Sequence, residues 1–469
     1  MPQTDPGTRD DQHLQRRVLL MVLLGAFTTP LMLSSTNVAL PRIANDLGLD
    51  AMLLSWVPMA YLMGSAMFVL IFGRIADTHG RMRIFLTGTA AVIATSVMAA
   101  LAISPWMLLA ARLLQGISAA MLYATQIGLV TAVFPAHKRG RVIGLVVSVV
   151  YIGLGSGPLL GGYIIESLGW RASFLLQLPL AIPVLLLGLL GVRRDWFNPQ
   201  NMPFDVSGAL SYVAMILLLC LGIARLPALD SLLLLSGAGL LLVWFLRHAR
   251  RARNPILDVN VFFTNRVFTL SCGASLIMYS ATYANVVLLS LYLQYLHGMS
   301  ATGAGMLMML QPLTMAFLSP FMGRLSDRVE PRMLASTGIA ITAFGLAMLA
   351  MLDSESGRRA MVAALIMTGT GFSLFSSPNI NAIMSAVDAQ HYGAASGAVA
   401  TTRLLGQLNS MVLVALAMAL IMGNAEIEPA NYPRLEQAIQ VSFTIAASIC
   451  LPAILMSLAR GRIHATAES

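Results

Sequence analysis

A chain of 469 residues is long enough for several water-soluble domains, but 57% of it is apolar and only 10% is charged, against about a quarter charged in a soluble domain. The net charge of +9 does not indicate a nucleic-acid partner, because the basic residues fall in short stretches between long apolar runs. Cys220, Cys272 and Cys450 all lie inside apolar runs, as small membrane residues do, which sets aside a disulfide framework and a metal site.

Residues 1–17 are polar, and Arg16 and Arg17 lead straight into an apolar run long enough to span; a cleavable signal peptide is not expected there. Fourteen spanning segments follow, at about 15–39, 52–75, 83–103, 106–132, 141–166, 172–192, 206–225, 229–247, 267–293, 303–323, 332–352, 359–385, 393–422 and 437–459. Each is near the roughly 20 residues that a helix needs to cross hydrocarbon. The period-two alternation of a closed barrel, the other spanning architecture, is absent. With a cytoplasmic N-terminus, 21 Lys and Arg residues face inward and six face outward, with Arg112 and Arg403 inside helices. That asymmetry is the positive-inside signal, and it predicts a multi-pass chain with both termini cytoplasmic.

The fifth segment is the one around which the others make sense. Gly153, Gly155, Gly157, Pro158, Gly161 and Gly162 crowd into ten residues of an otherwise apolar helical run. A dinucleotide-binding turn is excluded, since G-x-G-x-x-G fails at Leu160 and no strand precedes it. In a bilayer, spaced glycines let two helix backbones approach closely, and a proline bends the helix without exposing its freed carbonyl to water. The expectation is a thin, kinked helix packed tightly against another.

An internal repeat organises the chain. Gly73-Arg74-Ile75-Ala76-Asp77, followed by Arg81, comes after the second segment; Gly323-Arg324-Leu325-Ser326-Asp327 comes after the tenth. The chain therefore divides into a first six-helix bundle (1–195), an inserted helix pair with a basic linker (196–254), and a second six-helix bundle (255–469). Two related bundles with a site between them is a transporter plan. Asp77 is expected where a loop meets a helix start, its carboxylate favoured by the helix dipole and paired with Arg81.

These residues resemble the major facilitator superfamily, and within it the fourteen-helix drug:proton antiporters of multidrug-efflux type. GRIADTHGRMR at Gly73–Arg83 resembles the superfamily's signature loop, and LAARLLQG at Leu109–Gly116 its helix-4 motif. GLGSGPLLGG resembles the helix-5 motif of exporters. Asn37-Val38-Ala39-Leu40-Pro41, and Trp170-Arg171 followed by Phe174 and Pro179, match patterns of the fourteen-helix branch. The resemblance implies an all-α integral membrane protein of major-facilitator fold. It also implies that Gly73, Asp77, Arg81 and Asp327 latch the bundles, that Gly153, Gly157, Pro158, Gly161 and Gly162 serve conformational change, and that Arg112 and Arg403 take part in proton coupling. One departure matters: the family's helix-1 acid falls at Met32. All 20 Asp and Glu residues lie in loops, termini or helix ends, which leaves Glu166 as the proton-coupling candidate of the first bundle.

The polar and aromatic residues within helices give the candidate substrate lining: Met32, Asn37, Tyr61, Tyr123, Gln126, Tyr279, Tyr283, Asn285, Gln311, Phe375, Asn379 and Asn381. Taken singly, each serves helix packing and inter-helix hydrogen bonding equally well. Thirty methionines add a soft, adaptable surface. The expected function is a non-enzymatic, proton-coupled exporter of small amphipathic compounds in a bacterial inner membrane, needing no cofactor or metal. An accessory efflux partner is a further expectation in a two-membrane bacterium. An uncoupled or importing facilitator is the alternative that Met32 permits. A membrane enzyme or receptor is disfavoured, since no nucleotide loop, metal-ligand cluster or nucleophile–His–acid set stands out.

Overall fold

The computed structural model describes residues 9–134, 136–192, 195–196, 204–225, 229–252, 255–257, 259, 265–326, 328–353, 357–387, 392–423 and 425–461. Among these every regular element is helical, and fourteen spans are long and apolar enough to cross a membrane. They are α1 (Gln12–Leu47), α2 (Ala51–His79), α3 (Arg81–Ala100), α4 (Pro105–Val130), α5 (Ser148–Leu168), α6 (Trp170–Gly191) and α7 (Val206–Ile223). The remainder are α8 (Leu229–Arg251), α9 (Arg266–Leu296), α10 (Ala301–Leu325), α11 (Pro331–Ala350), α12 (Arg358–Ser385), α13 (Gly397–Ile421) and α14 (Pro429–Ala459).

Side chains close the exposed ends of several spans. Asp50, Ser104, Asp205, Asn265 and Ser300 each accept the backbone N–H three residues on, at 2.6, 3.3, 2.9, 3.0 and 3.1 Å. Each bond satisfies one of the amides that a helix start leaves without a partner.

Two of the differences from the sequence expectation have a local reason. The first helix runs on through Pro41 to Leu47 instead of ending near residue 39. Pro41 lacks the N–H that would bond the Asn37 carbonyl, and the nearby carbonyls of Val38 and Pro41 accept from Gln294 Nε2 (3.1 Å) and the Tyr295 hydroxyl (3.3 Å) of α9. In turn α9 is interrupted at Tyr283–Ala284 and ends in a π-turn over Tyr292–Leu296. There the Ala284 N–H turns to the Ser410 hydroxyl at 3.0 Å. The fifth helix stays helical through Pro158.

Spans α1–α6 and α9–α14 form the two bundles, with α7 and α8 packed on each other and α7 laid against α2 and α13. The bundles meet along α2–α13 and α5–α10. Exchanging the bundles maps one seam onto the other, as the repeated loop requires. An even number of spans puts both chain ends on one face, called here the terminal face. Leucines and phenylalanines such as Leu190, Leu233, Leu240, Phe317 and Leu455 stand exposed around the outside, as a lipid-facing belt does.

The bundles are joined away from the terminal face. Ala51 N–H bonds Ala425 O at 3.4 Å, Gln294 and Tyr295 reach α1, and Thr302 bonds Glu166. The largest apolar cluster draws on both bundles. Near the terminal face it gives way to one cluster built from the first bundle alone (Val18, Phe85, Leu129, Val192) and another from the second alone (Phe268, Cys272, Ile383, Ala398).

Candidate functional site

Arg112 is fully buried in α4, where an isolated guanidinium would be costly. Its Nε donates to Val57 O at 3.1 Å and its Nη1 to Gln115 Oε1 at 2.6 Å. Gln115 is itself fixed by the Ser96 hydroxyl at 3.0 Å, which also takes a bond from Gln177. The guanidinium lies 4.7 Å above the Tyr61 ring and 5.9 Å from that of Phe174, where the ring faces attract a cation. Its Nη2 has no protein partner. Around it stand Tyr61, Tyr283 and Tyr123.

Tyr123 links this network to the other bundle. Its hydroxyl is 3.2 Å from that of Tyr61, and Arg403 of α13 approaches its ring at 5.6 Å. Arg403 also faces Tyr151 and Tyr279. The Tyr151 hydroxyl meets Ser376 Oγ of α12 at 3.0 Å, while Tyr279 packs on Phe372 at 5.4 Å, and Phe372 on Phe375 at 6.3 Å. Tyr123, Tyr151, Tyr279 and Arg403 are half-buried although they lie in the interior of their helices, and their neighbours come from both bundles. They therefore stand where the two bundles face each other. Tyr283 stands beside Asn37 of α1.

Two faces of α5 are stripped to backbone. A Cβ on Gly153, Gly157 or Gly161 would strike Phe27, Ser34 or Ser35 of α1. On the other side, a Cβ on Gly162 would strike Ala301, and one on Gly305 would strike the Pro158 carbonyl. So this helix packs tightly against two neighbours, one in each bundle, where the sequence predicted one. At its end Glu166 accepts from the Thr302 N–H at 2.9 Å and the Thr302 hydroxyl at 2.6 Å. It bonds neither Arg112 nor Arg171; the latter pairs with Asp46 at 2.7 Å, alongside Trp170 Nε1 at 2.9 Å.

The signature loop is scarcely a loop. Asp77 lies in the last turn of α2 rather than at a helix start, and Arg81 bonds it at 2.9 Å across Gly80. Arg81 also donates to Gly128 O at 3.0 Å. The carboxylate at the start of α3 is Asp195, which accepts from Met82 N–H at 2.8 Å and Arg83 N–H at 3.2 Å. It fills the space where a Gly80 Cβ would stand, and Gly80 has φ 114°, a backbone that favours glycine. Gly73 has open space around it. Asp327 lies outside the described residues.

Of the expected lining, Asn37, Tyr61, Tyr123, Tyr279, Tyr283 and Phe375 belong to this cluster. Met32, Asn285 and Gln311 are buried in their helices, and Gln126 lies beside Gly25 within the first bundle. Asn379 is engaged elsewhere: it donates to Ser271 O and Ser275 Oγ and accepts from the buried Arg460 at 2.6 Å. Asn381 bonds Ser326 at 2.8 Å near the terminal face. Tyr151 and Ser376 were missed, although Tyr151, a tyrosine inside a span, meets the criterion that selected Tyr123. Asp46, Asp195 and Thr302 carried no signal short of the tertiary contacts.

Comparison with known proteins agrees with this architecture. The sequence profile described as Major Facilitator Superfamily matches residues 22–408 and 270–466. The chain is 28% identical to the riboflavin transporter RibZ of Clostridioides difficile, over 94% of this chain and 96% of that protein. It is 29% identical to the multidrug resistance protein Stp of Mycobacterium tuberculosis, over 91% of this chain and 79% of that protein. The inward-facing, unoccupied crystal structure of a bacterial homologue of the human lysosomal transporter Spinster superposes with a TM-score of 0.68 at 15% identity, covering 97% of each chain.

Proposed function

Because the chain belongs to the Major Facilitator Superfamily, we propose that this transporter is a secondary active exporter of small amphipathic organic compounds. It works by alternating access around the tyrosine–arginine cluster, in a bacterial inner membrane with both termini cytoplasmic. The observation that carries the reading is the one-sided closure. The bundles are bonded on the face opposite the termini and make separate apolar clusters toward the terminal face, and half-buried Tyr123, Tyr151, Tyr279 and Arg403 lie between them. Rocking of one bundle on the other exchanges the open face.

Glu166 is the group proposed to couple this motion to protons. Its carboxylate accepts two bonds from Thr302 across the closed face, and a protonated carboxyl has less acceptor capacity. Proton binding from the outside would release the clamp. Asp77 and Arg81 are proposed to hold the other face shut in the alternate state. Cells with and without the gene, loaded with a fluorescent dye panel, test export: gene-bearing cells should retain less dye, and an agent that collapses the pH gradient should erase the difference. Equal retention across the panel would remove the export assignment.

A second reading, uptake or exchange of a metabolite, is favoured by the relative named a riboflavin transporter and by Met32 at the family's acid position. Membrane vesicles of both orientations separate the two readings by the side on which a dye or riboflavin accumulates.

A further inference from the structure

We propose that the cluster between the bundles is a binding site for aromatic organic monoanions, with the acidic group on Arg403 and the ring body against Tyr123, Tyr151 and Tyr279. The inference rests on the reading of this cluster as the transport site.

Its charge is one-sided. Arg112 and Arg403 both stand against Tyr123, and neither is in an ion pair among the described residues. No Asp or Glu lies mid-span in the sequence to compensate them. Arg112 spreads its charge into a backbone carbonyl, an amide and two rings. Arg403 has the aromatic ring of Tyr123 and the neighbouring tyrosines, and no carboxylate.

A second observation points the same way. The buried Arg112 Nη2 has no protein partner, and a guanidinium nitrogen only donates. An unfilled donor in a two-arginine network suits a ligand that brings acceptor oxygens.

Alternating access then makes the ligand's charge matter. Arg403 is half-buried in this structure, where the bundles make separate apolar clusters toward the terminal face. Closing that face removes its remaining water, and a desolvated guanidinium with neither a counter-charge nor the acceptors that hold Arg112 is strongly disfavoured. A bound anion supplies the counter-charge, a neutral compound does not, and a cation adds repulsion. The ligand therefore favours the closed conformation only if it is negative, which is what selects it. The flat tyrosine walls favour an aromatic body.

The purified, detergent-solubilised full-length protein, titrated with 2-naphthoate, 2-naphthamide and 2-naphthylmethylammonium, tests this. A charge-assisted bond of the usual strength predicts that 2-naphthoate binds roughly tenfold or more tighter than the amide, and that the ammonium binds weakest. Arg403→Gln should remove the advantage of 2-naphthoate over the amide while amide binding persists, and Arg403→Lys should keep most of it. Ammonium binding equal to that of 2-naphthoate, undiminished 2-naphthoate affinity in a folded Arg403→Gln protein, or no 2-naphthoate binding to the wild type overturns the inference. Should Arg403→Gln fail to fold, the order of the three probes on the wild type decides. Dye export by cells tests the exporter reading separately. Export without 2-naphthoate binding leaves that reading intact, and Arg403-dependent binding without export leaves the site intact.

Discussion

At the scale of single residues, charge explains most of what the site does. Arg112 is held by atoms that share its charge without cancelling it: Val57 O, Gln115 Oε1 and the Tyr61 face. Replacing it by Leu should strand the Gln115 Oε1 acceptor and lower the melting temperature, at a cost of about 1–3 kcal/mol. An unchanged melting curve would count against this network. Glu166 is different, since it is exposed and its partners lie in the opposite bundle. Glu166→Gln keeps one acceptor oxygen, so the protein should fold and bind substrate while losing its response to a pH gradient. Gradient-driven transport by that variant in vesicles would move the coupling group elsewhere.

At the scale of the helix, glycine packing separates structure from motion. Gly157→Leu places bulk against Ser34 and Leu31 of the same bundle, so folding itself should suffer. Gly305→Leu places bulk against the Pro158 carbonyl, across the seam between the bundles. It should melt normally yet transport little, because only the closed state of that face is forbidden. Equal stability losses in the two would show that the seam is static. The inserted pair has its own fastening, Asp205 to His248 at 2.8 Å, with Trp244 stacked on the histidine ring. Burial pushes the Asp205 carboxyl up, but the Gly208 N–H and His248 outweigh it and hold it below the usual carboxylate range. A depressed value means that the contribution is complete above the ordinary carboxylate pKa and fades as pH falls through the lowered one. Asp205→Ala should therefore cost about 1 kcal/mol at neutral pH and progressively less in acid, as read from melting curves across that range.

Fourteen spans and the G-R-x-x-D repeat were readable because hydrophobic length and exact repetition are properties of contiguous sequence. The substrate side of the site was readable only as a set. Tyr123 and Tyr279 meet Arg403 through the tertiary fold, while Asn379, equally polar and equally buried in sequence terms, is taken by Arg460 from the far end of the chain. Which neighbour claims a buried amide depends on helix rotation, and a near-uniform apolar run says little about that. Asp195 escaped for the same reason: its bonds to α3 span more than a hundred residues.

At the scale of the whole molecule, the arrangement is a pair of bundles fastened at one end, and its test is to make that fastening permanent. The backbones of Ala51 and Ala425 already touch across the bundles, with N–H to O at 3.4 Å. Residues that share a backbone hydrogen bond lie within the roughly 4.4–6.8 Å Cα separation that a disulfide spans. Cys220, Cys272 and Cys450 are free and buried, so they should compete little with an introduced pair. Ala51→Cys combined with Ala425→Cys should cross-link in membranes under a mild oxidant. Locking one face shut removes one of the two states that alternating access requires, so transport should stop; a reductant should restore it, and each single variant should transport with or without oxidant. Substrate binding from the terminal face should survive the cross-link, since the introduced pair joins the opposite face and leaves the terminal one untied. A cross-linked protein that still transports at the wild-type rate would mean that the face joined by Ala51 and Ala425 never opens, and the rocking of the bundles would have to be abandoned.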